Sequence, residues 1–583
     1  MIALDRLSVD AIAAGVRSRR RSAVEVMDEV LERLSYYDAI QPAVWISRVD
    51  ADALRSAAAG VDARVATGAA LPLAGVPFAV KDNIDVLGLD TTAACPAFSY
   101  RPARSAAVVE RLVAAGAIPV GKTNLDQFAT GLNGTRSPYG IPRNAYNRAW
   151  VSGGSSSGSA VAVAAGLVAF ALGTDTAGSG RVPAAFNHLV GLKPTRGRWS
   201  SRGLVPACRT LDCITVFTGT AAEAGLVDAI AAGFDSEDAF ARSMADAPRP
   251  AYRIGIPRAD QRRWFGDIES DFLYQAALDG LGAKLVEIDM APLNDAARLL
   301  YDGPWVAERT AALQSMLDEN PDAIHPVVRE IVEQGKNYSA VDVFEGSYRL
   351  AELARAAERI WVDVDLLVLP TAPTSYRVAE MLAAPIALNA SLGAYTNFVN
   401  LLDMAAIAVP TGLYQSGVGF GVTLMGPAGT DRALIEAANV LFPAPASPPP
   451  LDLEGRMETV KLAVVGAHLK DMPLHWQLTS REARFVGAAK TAPAYRLYAM
   501  ADSVPPKPAL VHSGDGAAIA LEIYELDMAA FGSFVAEVPP PLAIGTVTLD
   551  DGSLVKGFVA EPRAIVNAED ITDLGGWRAY VAR

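Results

Sequence analysis

A stretch rich in serine and glycine, residues 152–197, holds the side chains of this 583-residue chain that best suit nucleophilic chemistry. Glycines stand directly before serines at Gly153-Gly154-Ser155 and at Gly178-Ser179. Such turns expose backbone N–H groups beside hydroxyls, so that a hydroxyl can attack an acyl carbon while the amides hold the oxyanion. A flexible linker is excluded because the tract leads into a sustained apolar segment. A phosphate-binding loop is not indicated in this tract, because Gly153-Gly154-Ser155 is not followed by the lysine that such a loop needs.

A serine nucleophile needs a base, and the first 441 residues offer two histidines and several lysines. The histidines are His188 and His325; His188 lies among apolar residues, where a structural role is the preferred interpretation, and no GxSxG motif accompanies it. A lysine can act as the base if burial lowers its pKa enough to keep it neutral. Lys81 ends the apolar run Ala74–Val80, so its amine is expected at the edge of the core. Taken alone, a solvated strand end remains the alternative for Lys81.

Three motifs in this order resemble the amidase signature family over nearly the whole segment before residue 442. They are GVPFAVKDNIDV with Lys81, GGSSSGS with Ser155, and DTAGSGRVPAAFNHLVGLKPTRG with Ser179. The resemblance implies that Ser179 is the nucleophile, that Ser155 follows a cis peptide bond and relays the proton, and that Lys81 is the base. The implied oxyanion hole consists of N–H groups of residues 176–179, with Thr176, Ala177 and Gly178 as its donors. This relay requires a strongly depressed pKa for Lys81, since a charged lysine cannot accept a proton.

Further motifs narrow the substrate. Gly180 stands where most members of the family carry a bulky apolar residue, and its small size is predicted to open space for a small polar substrate. Residues 301–312 and 121–140 resemble allophanate hydrolases. This resemblance implies that Tyr301 and Arg309 bind the substrate carboxylate, with Gly131 also in the site. Arginine suits that role because its planar fork binds carboxylates in a bidentate way. From the sequence pattern alone, a surface ion pair between Arg309 and Glu308 is the alternative.

The tail, with VVGAHLKDMPLHWQL at 464–478 and TAPAYRLY at 491–498, resembles the C-terminal domain of allophanate hydrolases. That domain is similar in fold to the γ-glutamylcyclotransferase-like barrel. Val-Gly-Ala-His468 replaces the Tyr-Gly-Ser-Asn-type loop of the cyclotransferases, so glutamyl cyclisation is not expected. His468 is the candidate residue for decarboxylating N-carboxycarbamate, the first product. A tail that serves mainly as an assembly module is the alternative. His475 and His512 are expected to be structural or exposed.

Five prolines in residues 442–450 cannot continue a helix, and they favour an extended connector. We therefore predict a catalytic domain at 1–441, a proline-rich linker at 442–458 and a C-terminal domain at 459–583. Alternating helix and strand patterns predict an α/β fold in the first domain, with helices on both faces of a central mixed β-sheet. The C-terminal domain is predicted to be small and α+β. Predicted helices cover 4–36, 50–67 and 105–115, and predicted strands cover 76–80, 118–120, 170–172, 253–256, 365–369, 462–465, 495–499, 518–524, 544–549 and 553–559.

Composition limits the remaining function classes. The chain has 51 basic and 65 acidic residues, for a formal charge of −14, and no Lys/Arg cluster with interleaved aromatics, so nucleic acid is not an expected partner. The N-terminus reads as an amphipathic helix, and the longest uncharged apolar segment, 160–172, is too short to span a bilayer. A cytoplasmic protein is expected. Cys95, Cys208 and Cys213 are interpreted as buried thiols, although Cys208 and Cys213 pairing across a loop stays open.

The resemblance implies hydrolysis of allophanate to ammonia and CO2 without metal or organic cofactor, and it suggests a homodimer. No Met-Lys-Met biotinylation site is present. Allophanate is therefore expected from a separate urea carboxylase or another upstream hydrolase. The open alternatives are another small-amide amidase, such as one acting on malonamate, and an amidotransferase component that passes ammonia to a partner.

Overall fold

The computed structural model describes residues 4–247, 253–443, 447–454, 459–481, 483–501 and 503–583. The chain divides into two compact units, Met1–Gly455 and Arg456–Arg583. Part of the predicted linker, residues 444–446 and 455–458, lies outside the described residues. Within the rest of the linker, Asp452 accepts a hydrogen bond from the Arg148 backbone N–H at 2.8 Å. Residues 451–453 are thus attached to the first unit.

The first unit is built on a mixed sheet, and its central strands are buried on both faces. In the described residues the eleven strands run in the order β1-β3-β2-β4-β6-β5-β10-β11-β9-β7-β8. Their bounds are β1 Trp45–Arg48, β2 Pro77–Lys81, β3 Ile118–Thr123, β4 Phe170–Asp175, β5 Val190–Lys193, β6 Cys213–Thr218, β7 Ile254–Pro257, β8 Leu285–Ile288, β9 Leu366–Pro370, β10 Ala405–Leu413 and β11 Gly419–Gly426. The predicted mixed sheet is confirmed, since β2 runs parallel to β3 and β4, whereas β4 is antiparallel to β6.

Helices cover this sheet. The described helices of the first unit are α1 Val9–Arg17, α2 Ala23–Asp38, α3 Ala51–Ala66, α4 Ala107–Ala114, α5 Ser157–Ala164, α6 Val182–Phe186, α7 Ala221–Ala231, α8 Ile268–Asp279, α9 Ala291–Arg298, α10 Trp305–Glu319, α11 Pro326–Glu333, α12 Ala340–Glu358, α13 Ile360–Asp363, α14 Val378–Ala383, α15 Ala387–Leu392, α16 Phe398–Leu401 and α17 Asp431–Leu441. The predicted helix at 4–36 is two helices, because a turn separates α1 from α2, which begins at a capping box of Ser22 and Glu25.

Two features of the sheet position the candidate site. Strands β2 and β4 are parallel neighbours, so their carboxyl ends, Lys81 and Asp175, lie at the same edge. The serine tract starts α5, which packs against β4 and β2. A side chain at Gly158 would lie 2.4 Å from the Val44 carbonyl oxygen, so only glycine permits this close packing. The small residues of the tract thus serve packing as well as chemistry.

The second unit is β-rich, and a core that includes Leu462, Leu497 and Leu521 fills it. In its described residues a five-stranded sheet runs β13-β16-β12-β18-β17, and a three-stranded sheet runs β15-β14-β19. The bounds are β12 Thr459–Val464, α18 Trp476–Thr479, β13 Arg484–Lys490, β14 Tyr495–Ala499, β15 Pro508–His512, β16 Ala520–Asp527, α19 Met528–Ala536, β17 Leu542–Thr548, β18 Leu554–Ala560, β19 Glu569–Asp570 and α20 Trp577–Val581. All five strands predicted after residue 460 correspond to observed strands.

Neither unit contains, in its described residues, a helix with the length and apolar character needed to cross a bilayer. Cys95, Cys208 and Cys213 are buried and free. The interpretation as buried thiols is therefore confirmed, and Cys208 and Cys213 are not paired.

The stacked rings of Phe78 and Phe170 join β2 to β4, with centroids 5.0 Å apart. Both side chains are fully buried. We predict that Phe170→Ala destabilises the first unit by about 3–5 kcal/mol, because it removes buried area and leaves a cavity. The measurement is the unfolding transition of the full chain in calorimetry or denaturant. As the control, Phe272→Ala at an exposed position on α8 should stay within about 0.5 kcal/mol of the parent. Equal effects of the two changes would contradict the packing argument.

Candidate active site

Lys81 occupies the end of β2, and no part of its side chain reaches solvent. Its Nζ donates to Ser155 Oγ and to Thr174 Oγ1, each at 2.7 Å. Burial lowers the pKa of Lys81 to about 7, although the nearby carboxylates, Asp126 first among them, favour the charged form. A large fraction of Lys81 is therefore neutral near pH 7 and able to accept a proton. This direction agrees with the depressed pKa of Lys81 expected from the sequence.

Ser155 follows a cis peptide bond after Gly154, as the resemblance implied. A side chain at Gly154 would lie 2.2 Å from Asp126 Oδ2, so the backbone can approach this carboxylate only at glycine. Asp126 in turn accepts backbone hydrogen bonds from Gly134 at 3.0 Å and from Arg136 at 3.0 Å. Asp126 thus ties the loop after β3 to the loop that carries Ser155.

Ser179 lies in the loop that follows β4, and a buried ion pair fixes that loop. Asp175 pairs with Arg181 through Nε–Oδ2 at 2.9 Å. The same carboxylate accepts the N–H of Gly178 at 2.9 Å and that of Gly180 at 3.0 Å. The loop is therefore held immediately before and after Ser179.

The Ser179 hydroxyl donates to the Gly131 carbonyl at 3.3 Å. Between the described residues no hydrogen bond joins Ser179 to Ser155. The structure thus brings Lys81 and Ser155 into contact, whereas the Ser179 hydroxyl contacts Gly131. Gly131, which Ser179 contacts, and Gly154, which precedes Ser155, pack against the same carboxylate. A side chain at Gly131 would lie 2.5 Å from Asp126 Oδ2, the same oxygen against which Gly154 packs.

One predicted oxyanion donor is already occupied. The Gly178 N–H binds Asp175 Oδ1, which removes Gly178 from the predicted donor set of Thr176, Ala177 and Gly178. In the described part of the chain the N–H groups of Thr176, Ala177 and Ser179 have no hydrogen-bond partner. The geometry thus offers Thr176, Ala177 and Ser179 as the free amides of this loop.

Arg309 lies on α10 with 1% of its surface exposed. Its Nη1 donates to Thr130 Oγ1 at 3.0 Å and its Nη2 to the Tyr301 hydroxyl at 3.4 Å. Glu308 instead accepts from the Thr210 backbone and hydroxyl, both at 2.7 Å. The surface pair between Arg309 and Glu308 is thus wrong, and the predicted proximity of Arg309 and Tyr301 is confirmed.

Gly180 does not open space for a substrate. A side chain there would meet Thr215 atoms at 2.8 Å, so the glycine makes room for a neighbouring strand residue. The expectation that Gly180 widens the pocket is therefore wrong. An open cavity of about 710 Å³ lies instead beside Tyr301, and Arg136 and Asn389 also line it.

In the second unit, His468 is half-buried between two rings, at 5.0 Å from the Phe558 centroid and 5.1 Å from that of Phe534. Its Nε2 lies 2.7 Å from Gln477 Oε1. Gln477 also donates to Glu537 at 3.3 Å, and burial lowers the pKa of His468. His468 is thus predominantly neutral at pH 7. Its hydrogen-bonded neighbours, Gln477 and Glu537, were not predicted from the sequence.

The other histidines do not join the candidate site. His188 is buried, and burial lowers its pKa to about 4. His325 caps α11 by accepting the Val327 N–H at 3.3 Å. His475 lies 3.1 Å from the Tyr524 hydroxyl, and His512 ends β15. The described residues contain no cluster of His, Cys, Asp and Glu suited to a metal ion.

Sequence reasoning missed Thr174. Because Val80 pairs with Leu172 across the parallel strands β2 and β4, Lys81 at the end of β2 lies close to Thr174. The available signal was a hydroxyl residue on the neighbouring strand, one position from the residue that aligns with Lys81.

Comparison with known proteins places these features in a family. The Amidase family model matches residues 27–435. The chain belongs to the Amidase family. A second family model, the allophanate hydrolase C-terminal domain, matches residues 460–582. This Amidase family chain therefore combines the two domains that the sequence motifs indicated.

Relatives agree with that combination. The chain is 45% identical to urea amidolyase of Saccharomyces cerevisiae over 88% of its own length and spans about 30% of that protein. It is 44% identical to urea amidolyase of Lachancea kluyveri, again over 88% of this chain and 30% of that one. Among solved structures, Kluyveromyces lactis allophanate hydrolase matches with a TM-score of 0.72 and 39% identity, covering 100% of both chains.

We predict that Thr174→Val lowers kcat/KM for allophanate, the substrate expected from the sequence, by about tenfold or more. The change removes one of two hydrogen bonds that orient the Lys81 amine. Thr215→Val is the matched control. Thr215 is equally buried on the adjacent strand, but its hydroxyl has no hydrogen-bond partner among the described residues. Steady-state ammonia release measures both variants. The positioning role is contradicted if the two changes lower kcat/KM equally.

The pKa of Lys81 predicts a pH dependence. Only the neutral amine accepts a proton, so kcat/KM should fall tenfold per pH unit below about 7 and level off above it. The measurement is the pH profile of kcat/KM, with protein stability checked at each pH. A profile that stays flat from pH 8 down to pH 5, or that rises only near the ordinary lysine pKa, would exclude Lys81 as the base.

Proposed function

We propose that this chain is an allophanate hydrolase, which removes the terminal amide of allophanate as ammonia through a Ser179 acyl-enzyme. The observation that carries the proposal is the buried Arg309 guanidinium, which has no carboxylate at ion-pair distance among the described residues. Thr130, which binds it, directly precedes Gly131, the contact of the Ser179 hydroxyl. A cation placed so close to a nucleophile suits a small substrate with a carboxylate. The likeness to K. lactis allophanate hydrolase over the whole chain supports this choice.

The proposed reaction starts when Ser179 Oγ attacks the terminal carbonyl. Ser155 takes the proton of Ser179 and passes its own proton to neutral Lys81, which it already contacts at 2.7 Å. The free amides of Thr176 and Ala177 hold the oxyanion. Ammonia leaves with a proton returned along the same relay. Water then attacks the acyl-enzyme and releases N-carboxycarbamate.

Arg309 and Tyr301 hold the substrate carboxylate in this proposal. The guanidinium stacks on the Tyr301 ring, 5.3 Å from its centroid, so the tyrosine ring orients Arg309. The Tyr301 hydroxyl accepts a hydrogen bond from Arg309 Nη2, and its own proton can be donated to the substrate carboxylate. Gly131 has a backbone role, because its carbonyl receives the Ser179 hydroxyl and its Cα packs against Asp126. A neutral amide would leave the buried arginine without an anion, which is how the site selects its substrate.

For the second unit we propose decarboxylation of N-carboxycarbamate with the help of His468. Its ring is exposed enough to be reached and is held by Gln477, which favours one tautomer. The product carbamate then decays to ammonia and CO2. An assembly role for this unit is the competing proposal, and it would leave CO2 release unaffected by changes at His468.

The setting of the enzyme is part of the proposal. We propose a cytoplasmic homodimer that receives allophanate from a separate urea carboxylase or another upstream hydrolase. The catalytic domain is proposed at 1–441, with a linker to 458 and a C-terminal domain from 459. Because the urea amidolyases are more than three times as long as the stretch that matches this chain, the substrate has to be tested on this chain itself.

We predict that Arg309→Gln lowers kcat/KM for allophanate by about a hundredfold, because truncating a buried charge that binds a carboxylate costs ~2–5 kcal/mol. Turnover of biuret, in which a neutral carboxamide replaces the carboxylate, should change less than about threefold. Arg298→Gln is the matched control, since Arg298 lines the cavity beside Tyr301 but its side chain is 64% exposed. Equal losses for allophanate and biuret would contradict carboxylate recognition by Arg309.

A second prediction tests the second unit. His468→Gln should leave the initial rate of ammonia release within about twofold and slow CO2 release by about a hundredfold, the size of a lost general acid or base. Ammonia and CO2 are followed in parallel, by a coupled assay and by membrane-inlet mass spectrometry. His512→Gln, an exposed change at the end of β15, serves as the control. Unchanged CO2 release in His468→Gln would favour the assembly role.

A further inference from the structure

Arginines buried to less than 2% exposure are rare in this chain, and the described residues contain three of them, Arg136, Arg181 and Arg309. A buried charge is costly unless an opposite charge accompanies it. Arg181 has such a partner in Asp175. Neither Arg136 nor Arg309 has a carboxylate at ion-pair distance in the part of the chain that the structure describes. The proposed function assigns Arg309 to the substrate carboxylate but gives Arg136 no role.

Arg136 is held beside the cavity that Tyr301 lines. Its Nη1 donates to the Thr130 carbonyl at 2.9 Å and its Nη2 to the Pro385 carbonyl at 2.7 Å. Its Nε is buried without a hydrogen-bond partner among the described residues, as is that of Arg309. Arg136 also lines the cavity beside Tyr301. The side chain is thus held in place by neutral carbonyls, which orient it without neutralising it.

Thr130 joins the two arginines. Its carbonyl oxygen binds Arg136, and its hydroxyl binds Arg309 at 3.0 Å. The next residue, Gly131, receives the Ser179 hydroxyl. Two cationic groups are therefore fixed on a single residue, one position away from the contact of the nucleophile.

Asp126, the acid that influences the charge of Arg136, makes no ion pair with its guanidinium among the described residues. The Asp126 oxygens instead accept the backbone N–H groups of Gly134 and of Arg136 itself, each at 3.0 Å. Burial, opposed by Asp126 and reinforced by the positive charge of Arg309, lowers the pKa of Arg136. An anion that enters the cavity would relieve both effects.

We propose that Arg136 is a second anion-binding residue of the substrate pocket, which acts with Arg309 across Thr130 to select ligands that carry a carboxylate over neutral amides of the same size. This inference rests on the proposed function and deepens it. It assigns carboxylate selectivity to a pair of guanidiniums on two different elements, the loop after β3 and α10. Arg136 lies in the same Gly131–Gly140 segment as the Ser179 contact, so substrate charge and nucleophile position are set by one loop.

The test measures binding without turnover. In a Ser179→Ala background, calorimetry gives the Kd of allophanate and of biuret, which differ only in carboxylate against carboxamide. Arg136→Gln should weaken allophanate at least about tenfold, equivalent to ~1.4 kcal/mol, and leave biuret within about twofold. Arg143→Gln removes the same charge at an exposed position seven residues along the chain, and it should change neither Kd beyond about twofold.

Three outcomes overturn the inference. Allophanate binding that is unchanged in Arg136→Gln, an equal loss for both ligands, or an equal loss in Arg143→Gln would each remove Arg136 from carboxylate selection. The proposed function itself fails in a distinguishable way, because the Ser179→Ala background would then bind allophanate no better than biuret. If Arg136→Gln does not fold, Arg136→Lys replaces it, keeping the charge but losing the planar fork. That variant should weaken allophanate at least about threefold with biuret unchanged, and equal or absent changes overturn the inference.

Discussion

The burial of the Lys81 amine is the constraint on which the site depends, because a lysine accepts a proton only when it is neutral. The amine is placed at the end of a parallel strand buried on both faces, where its neighbours are two hydroxyls rather than a carboxylate at contact distance. Carboxylates lie farther away and hold the pKa near 7 instead of letting burial lower it further. The strand order of the sheet therefore sets the protonation state of Lys81 on which the proposed relay depends.

Other buried groups of the site remain charged, whereas Lys81 is partly neutral. Asp175 is neutralised by Arg181 and uses its remaining capacity to fix the loop around Ser179. Arg309 and Arg136 are held by neutral oxygens instead, so two positive charges remain beside Thr130, which directly precedes the residue that Ser179 contacts. One buried cation is thus structural because it is paired, and two are available to a ligand because no described carboxylate lies at ion-pair distance from them.

Much of this arrangement could be predicted from the sequence, for reasons that differ by residue. Lys81, Ser155 and Ser179 stand in distinctive local motifs, and the strands around Lys81 and Asp175 show continuous apolar runs typical of buried parallel strands. Strands β1, β5, β6, β8, β10 and β11 of the first unit were not predicted. Glycine or proline interrupts β5, β10 and β11, and the position of β5 is set by its pairing with β6 and β10, which the sequence pattern does not reveal.

The sequence predicted the site less completely for residues whose role depends on how distant side chains pack against them. Gly180 carries no side chain because Thr215 fills that space, and the Gly178 N–H is taken by Asp175; both facts require the neighbouring strand or side chain to be placed. Thr174 and Arg136 were missed for the same reason. Thr174 becomes relevant because the fold places it against Lys81, and Arg136 because the fold places it at the cavity.

The measurement that tests the account most directly is ammonia release from fresh allophanate by the purified chain, with biuret, malonamate and acetamide as comparison substrates and Ser179→Ala as the blank. We expect a preference for allophanate over acetamide of more than about a hundredfold, ~2.7 kcal/mol in the transition state, and loss of activity in the blank. Equal turnover of acetamide would contradict selection by the buried arginines. Full activity of Ser179→Ala would contradict the acyl-enzyme itself.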